Sequence, residues 1–130
     1  MNRVTILTTD ALAESFDNFE LNDTVFSFRR LAAGGQVMLT EGTVWVFVDW
    51  LAPNISGLEM CRRLRADTRT RDVHVTMVLE RDDPEDRRRA LRAGADDYVV
   101  GPVNRQIMLD RILALDPAAR WRGFRQVIRV

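Results

Sequence analysis

The sequence contains no lysine: all 19 of its basic side chains are arginine, balanced by 19 acidic ones, so the 130-residue chain is formally neutral. That absence excludes Schiff-base chemistry, a lysine general base and the Gly-Lys-Ser/Thr phosphate loop. A coding bias toward arginine accounts for it, and the chemical consequence holds whatever the cause. The single cysteine, Cys61, can form neither an internal disulfide nor a multi-cysteine zinc site, and the single histidine, His74, cannot make a histidine cluster. A reduced, cytoplasmic protein is the simplest reading. No apolar run approaches the roughly 18–20 residues of a membrane span; the longest obvious one is Val44–Val48. The opening MNRVTIL turns polar at Thr8, Thr9 and Asp10, where a secretory signal would still be apolar. Without such a signal, the glycosylation-like Asn54-Ile55-Ser56 is read as chance.

What is present suits one compact domain with a single core, with 46% hydrophobic and 29% charged residues. Charge is uneven along it. Residues 1–60 hold three Arg against eight acids (−5), and residues 61–130 hold sixteen against eleven (+5). Acids such as Asp82, Asp83, Glu85, Asp86, Asp96 and Asp97 are interleaved through the basic half, which favours a solvated face over a phosphate-tracking stripe.

Five short apolar runs read as strands: Val4–Leu7, Val25–Phe28, Val44–Val48, Val73–Leu79 and Tyr98–Val100. Runs without polar alternation mark strands buried on both faces, as in a parallel sheet covered by helices on each side. Residues 58–66 read as a helix with Leu58, Cys61 and Leu64 inward. Asp83 and Pro84 read as an N-cap and first-turn proline, with Gly94 closing a helix that carries Ala90 and Leu91. Asn104 caps a last helix with Ile107, Met108, Ile112, Leu113 and Leu115 inward. Weaker helical patterns cover 10–20 and 29–39. The whole predicts five β-α units, a doubly wound five-stranded parallel sheet with helices on both faces. The domain is expected to end near residue 115. Residues 116–130, with Arg120, Arg122, Arg125 and Arg129 around Trp121, Phe124, Val127 and Ile128, form an extension folded back on the domain or the start of a linker; residues 124–129 alternate like a strand.

In an open parallel sheet ligands bind beyond the carboxyl ends of the strands. Asp49 directly follows Val-Trp-Val-Phe-Val, and DWLAPNISGLEM continues as a turn and helix start. Here the chain resembles the receiver domain of bacterial two-component response regulators, a flavodoxin-like fold. In that family an Asp at this place accepts a phosphoryl group from a histidine kinase, with Pro and Gly at the spacings of Pro53 and Gly57. RALRAGADDYVVGPV, residues 89–103, resembles the family's stretch from its fourth helix through its fifth strand, with the Ala-Gly-Ala-Asp turn and a switch aromatic at Tyr98. The resemblance covers roughly residues 3–115.

The departures fall on the reactive positions. The family's pair of Mg²⁺-holding acids aligns with Thr8 and Thr9, with Asp10 just beyond, and hydroxyls cannot replace two carboxylates around a hard cation. Asp49 and Asp10 make at most a weak Mg²⁺ site, so no cofactor is expected. The family's hydroxyl residue aligns with Leu79, which cannot donate to a phosphoryl oxygen, and its small neighbour aligns with Glu80. The family lysine aligns with Gly101. Pro102 remains, and by resemblance the Gly101-Pro102 bond is cis.

The resemblance therefore implies an atypical receiver that is not an enzyme and acts mainly by phosphorylation-independent protein contact. Its partners would be a histidine kinase, an output protein or a second copy, met through the family's fourth helix, fifth strand and fifth helix. There Tyr98 and Arg87, Arg88, Arg89, Arg92, Arg105 and Arg111 supply contacts. Two alternatives stand beside it: a working phosphoacceptor at Asp49, and the N-terminal part of a DNA-binding regulator, with DNA bound only if an output domain follows. His74 is expected to be a surface or packing residue, Trp45 a core residue, Trp50 a rim residue and Cys61 a buried one.

Overall fold

The computed structural model describes residues 2–9, 16–21, 23–31, 43–52 and 54–115. Its elements are β1 (Asn2–Thr8), β2 (Phe19–Leu21), β3 (Thr24–Arg30), β4 (Thr43–Asp49), β5 (Leu51–Ala52), β6 (Ile55–Ser56), α1 (Gly57–Ala66), β7 (His74–Leu79), α2 (Pro84–Ala93), β8 (Asp97–Val100) and α3 (Arg105–Leu115). Strands β3, β1, β4, β7 and β8 form a parallel sheet in that order. These are the five runs read from hydrophobicity.

The sheet has one strand more than expected. β2 pairs antiparallel with β3 at its edge, Phe19 opposite Phe26 and Leu21 opposite Thr24. The pattern read as a helix over 10–20 thus ends in a strand, and the one over 29–39 begins inside β3. Phe19 and Leu21 alternate with exposed Glu20, so a strand edge lets both pack inward, where a helix would turn them apart. The rest of both segments, with Asp10, Pro53 and residues 116–130, lies outside the described residues. Three helices, not five, are present among the described residues.

β4 is the middle of the sheet and is buried on both faces. Val44, Val46 and Val48 face a cluster with Met60, Cys61 and Leu64 of α1 and Ala90 and Ala93 of α2. Trp45 and Phe47 face a second cluster with Met108, Leu109 and Ile112 of α3. The helices therefore cover both faces, and Trp45 and Cys61 are core residues as expected. Burial pushes the Cys61 thiol pKa up, away from reactivity.

The helix ends follow their capping residues. Ser56 Oγ accepts from the Glu59 N–H at 3.1 Å, and Asp83 accepts from the N–H groups of Glu85 and Asp86 ahead of Pro84. Gly94 stops α2 at φ 111°, a left-handed conformation that favours glycine. Asn104 accepts from the Ile107 N–H at 2.9 Å. Two side chains expected inward point outward instead, Ile107 and Leu115, and Leu91 of α2 is exposed as well. α2 buries Ala90 and Ala93, and Leu91 sits about 100° round the helix from Ala90. On α1, Met60 is buried where Leu58 is only half-buried.

Candidate functional site at the carboxyl edge of the sheet

Parallel pairing brings four strand ends together. Asp49 lies opposite Val78, Leu79 opposite Val100, and Thr8 opposite Phe47. Beyond the ladder, the Trp50 N–H donates to the Val78 carbonyl at 2.9 Å, and the Gly101 N–H donates to the Leu79 carbonyl at 2.7 Å. Thr9, Asp49, Leu79, Glu80, Gly101 and Pro102 thus meet on one edge. Asp49, Trp50, Leu51, Val78, Leu79, Glu80, Gly101 and Pro102 line a cleft of about 340 Å³ there. Trp50 is the rim residue it was expected to be.

Thr9 is clasped to Asp49. Its hydroxyl donates to Asp49 Oδ2 at 2.8 Å and accepts from the Asp49 backbone N–H, also at 2.8 Å. Both functions of one hydroxyl are spent on the residue it faces. Thr8 is buried, and its carbonyl accepts from the Leu31 N–H. In the fold family implied by the resemblance, acids at these positions would hold Mg²⁺. Thr8 and Thr9 bring neutral hydroxyls where the cation would need charge, and no group of three His, Cys, Asp or Glu residues suited to a metal exists among the described residues. The described donor set does not fit the ion.

Leu79 is fully buried and belongs to the core beneath α1 and α2, so it offers packing where the family has a hydroxyl. Gly101 is closed in as well. A Cβ there would lie 2.9 Å from a methyl of Val78, so a lysine would require Val78 to shift. The Gly101-Pro102 peptide is cis. Gly57, at the start of α1, has a clear backbone role: a Cβ would stand 2.3 Å from the Asp49 carbonyl oxygen. Its own N–H donates to the Trp50 carbonyl at 3.0 Å, closing the loop after Asp49 over the β5–β6 hairpin.

The arginines expected at an interface are mostly engaged within the chain. Arg87 donates to the Tyr98 hydroxyl at 3.5 Å, lies over its ring and pairs with Asp82. Tyr98 is half-buried against the α1/α2 core. Arg88 and Arg89 pair with Glu85. Arg105 lies over Phe19, and Arg111 forks onto both oxygens of Asp97, its Nη2 at 2.7 Å. Arg92 is exposed and has no partner among the described residues.

One residue escaped the sequence reading. Arg65 Nε donates to the Gly94 carbonyl at 2.8 Å, and its Nη1 donates to the carbonyls of Arg71 and Val73 at 2.7 and 2.6 Å. Its Nη2 meets Asp96 Oδ2 at 2.6 Å, and that oxygen also accepts from the Val75 N–H. The available signal was its place four residues after Cys61, at the flank of the buried face of α1.

Comparison with known proteins agrees with this fold. The model of the response regulator receiver domain matches residues 7–113. The phosphate regulon transcriptional regulatory protein PhoB of Rhizobium meliloti is 39% identical over 70 residues, 54% of this chain and 31% of PhoB. The response regulator RppA of Synechocystis is 43% identical over 76 residues, 58% of this chain and 31% of RppA. The match thus spans about a third of these relatives. Among solved structures, a two-component response regulator from Clostridium difficile superposes with TM-score 0.59 at 17% identity, covering 88% of this chain and 94% of that one. The chemotaxis response regulator CheY4 of Vibrio cholerae gives 0.60 at 16% identity, covering 88% and 98%. No helix among the described residues is long and apolar enough to cross a membrane.

Proposed function

Because the chain belongs to the response regulator receiver family of two-component signalling, we propose that it is an atypical receiver whose output is protein contact, without phosphoryl transfer through Asp49. The observation that carries this reading is the Thr9 clasp. Phosphoryl transfer to an aspartate needs a free carboxylate oxygen as nucleophile and a cation to neutralise charge on the phosphoryl group. Here the nucleophile is present, but Thr8 and Thr9 supply hydroxyls instead of acids for the cation, no lysine exists in the sequence, and Leu79 and Gly101 offer no side-chain donor.

Partners would be a histidine kinase or an output protein docking on α2, β8 and α3, where Leu91, Arg92, Val100 and Ile107 are exposed. Homodimerisation would use the same surface. The relatives that are transcriptional regulators extend well beyond the matched segment, so DNA binding would belong to an output region.

The test is incubation with Mg²⁺ and a small phosphodonor such as acetyl phosphate, followed by intact-mass measurement of the wild type and Asp49→Asn. The expected result is no adduct on either. A stable gain of one phosphoryl group that Asp49→Asn abolishes overturns the proposal in favour of a working phosphoacceptor.

A further inference from the structure

The cleft beyond Asp49 has Trp50, Leu51 and Pro102 as its open apolar walls, with Val78 and Leu79 buried beneath them. Leu51 is 67% exposed, more than any other large apolar side chain among the described residues. It lines the cleft while staying open to solvent, so an occupant of the cleft could also cover it. Glu80 sits on the rim, exposed and without a partner among the described residues. The neighbouring arginine does not neutralise it: Arg81 leans toward Asp83 and Asp86, each 3.9 Å away. Gly101 leaves the cleft without the cation that family members place there.

An unpaired carboxylate, an indole and an aliphatic wall suit a guanidinium better than an ammonium. Guanidinium is planar, weakly hydrated, able to bond a carboxylate through two N–H groups and able to stack on an aromatic face. A lysine head group would lose more hydration on entering a cleft with these walls. We propose that the cleft receives an arginine side chain of a partner protein, presented next to an apolar residue that covers Leu51. Glu80 takes the guanidinium, Trp50 stacks on it, and Leu51 packs against the neighbour. The inference deepens the protein-contact reading above and rests on it.

The test is a titration of the ¹⁵N-labelled chain with the blocked dipeptide acetyl-Leu-Arg-amide, followed by amide and indole NMR shifts. Its citrulline counterpart serves as control, being near in shape but uncharged. The expected result is saturable shifts at Leu51, Gly101 and the Trp50 indole. Binding should weaken about tenfold with citrulline and about tenfold in Glu80→Gln, the scale of one charge-assisted bond. Glu80 is exposed, so that variant keeps the fold. Equal binding of citrulline, an unaffected Glu80→Gln or shifts that never saturate overturn the assignment. So do shifts that follow protein concentration and ignore the dipeptide, which would place a second copy of the chain on the cleft. The phosphodonor experiment reads Asp49 alone. Failure here without phosphorylation there removes the arginine assignment and leaves the protein-contact reading standing.

Discussion

At the turn between α2 and β8 the family-like residues act on backbone geometry, whereas at the carboxyl edge of the sheet Thr9, Leu79 and Gly101 clasp, pack and close around Asp49. Gly94 stops α2 in a left-handed conformation, and Asp96 bonds Val75 and Arg65. Around Asp49, the geometric residue Gly57 sits in a space only glycine fits, while by the resemblance Thr9, Leu79 and Gly101 would replace an acid, a hydroxyl and a lysine of phosphoryl chemistry. A fold can hold its shape through one set of residues while its chemistry depends on another. The two sets are separable because backbone contacts and core burial set the first, and a few exposed donors and charges set the second.

If that separation is right, the largest effects should come from geometric residues in both regions. Gly57→Ala places a Cβ 2.3 Å from a backbone carbonyl that cannot move aside without shifting β4. Urea unfolding should show a loss of about 3 kcal/mol, on the scale of overpacking against rigid backbone. A neutral outcome would mean that α1 does not need its close approach to Asp49. Arg65→Ala comes next. It removes donors from three backbone carbonyls and the partner of Asp96, and should cost about 2 kcal/mol. Arg65→Lys should recover less than half, because a point charge cannot reproduce the planar fork.

Much of the geometric set was legible beforehand. The five parallel strands announced themselves because burial on both faces removes polar alternation. Asp83, Pro84, Gly94 and Asn104 marked helix ends because capping is a local chemistry. β2 was not legible: Phe-Glu-Leu is too short to show a period, and only pairing with β3 makes it a strand. The outward turn of Ile107 and Leu115 was not legible, because the buried stripe of α3 runs through Met108, Leu109 and Ile112; on α2 the core-facing stripe is alanine and Leu91 faces water. At the site, the alignment of Thr9, Leu79, Glu80 and Gly101 placed them on one edge. The clasp itself was invisible, since nothing in one dimension says which way a hydroxyl 40 residues distant will point.

A smaller effect tests that clasp. Thr9→Val keeps the size of the side chain and removes both bonds to Asp49. It should cost about 1 kcal/mol, the net worth of exchanging such bonds, while Thr9→Ser should cost less. A Thr9→Val chain as stable as wild type would show that the hydroxyl adds nothing to the edge, and would weaken the reading of Asp49 as a residue held in place.

The smallest effect lies at the opposite edge of the sheet. His74 opens β7, half-buried, its ring 4.2 Å from that of Trp45 and its Nδ1 buried without a hydrogen-bond partner among the described residues. Burial pushes its pKa below the ordinary 6.5; Asp96 and Asp97 oppose that, and Arg65 and Arg111 reinforce it. Well above pH 6.5 the ring is neutral in folded and unfolded chains alike, so it adds no pH dependence there. Below that pH the unfolded chain takes up the proton first, and stability falls as pH falls. His74→Phe keeps a ring against Trp45 and removes the titration, so its stability should decline less than wild type between about pH 7 and about pH 5. Asp67 and Asp83, whose carboxyls are held low by hydrogen bonds from Arg69 and from the first N–H groups of α2, titrate in both proteins and cancel in the difference. Because β7 separates His74 from the site by roughly 16 Å at strand rise, adding Asp49→Asn should leave that difference unchanged. A change would show that the two edges of the sheet are coupled, and that the reactive positions cannot be altered independently of the frame that carries them.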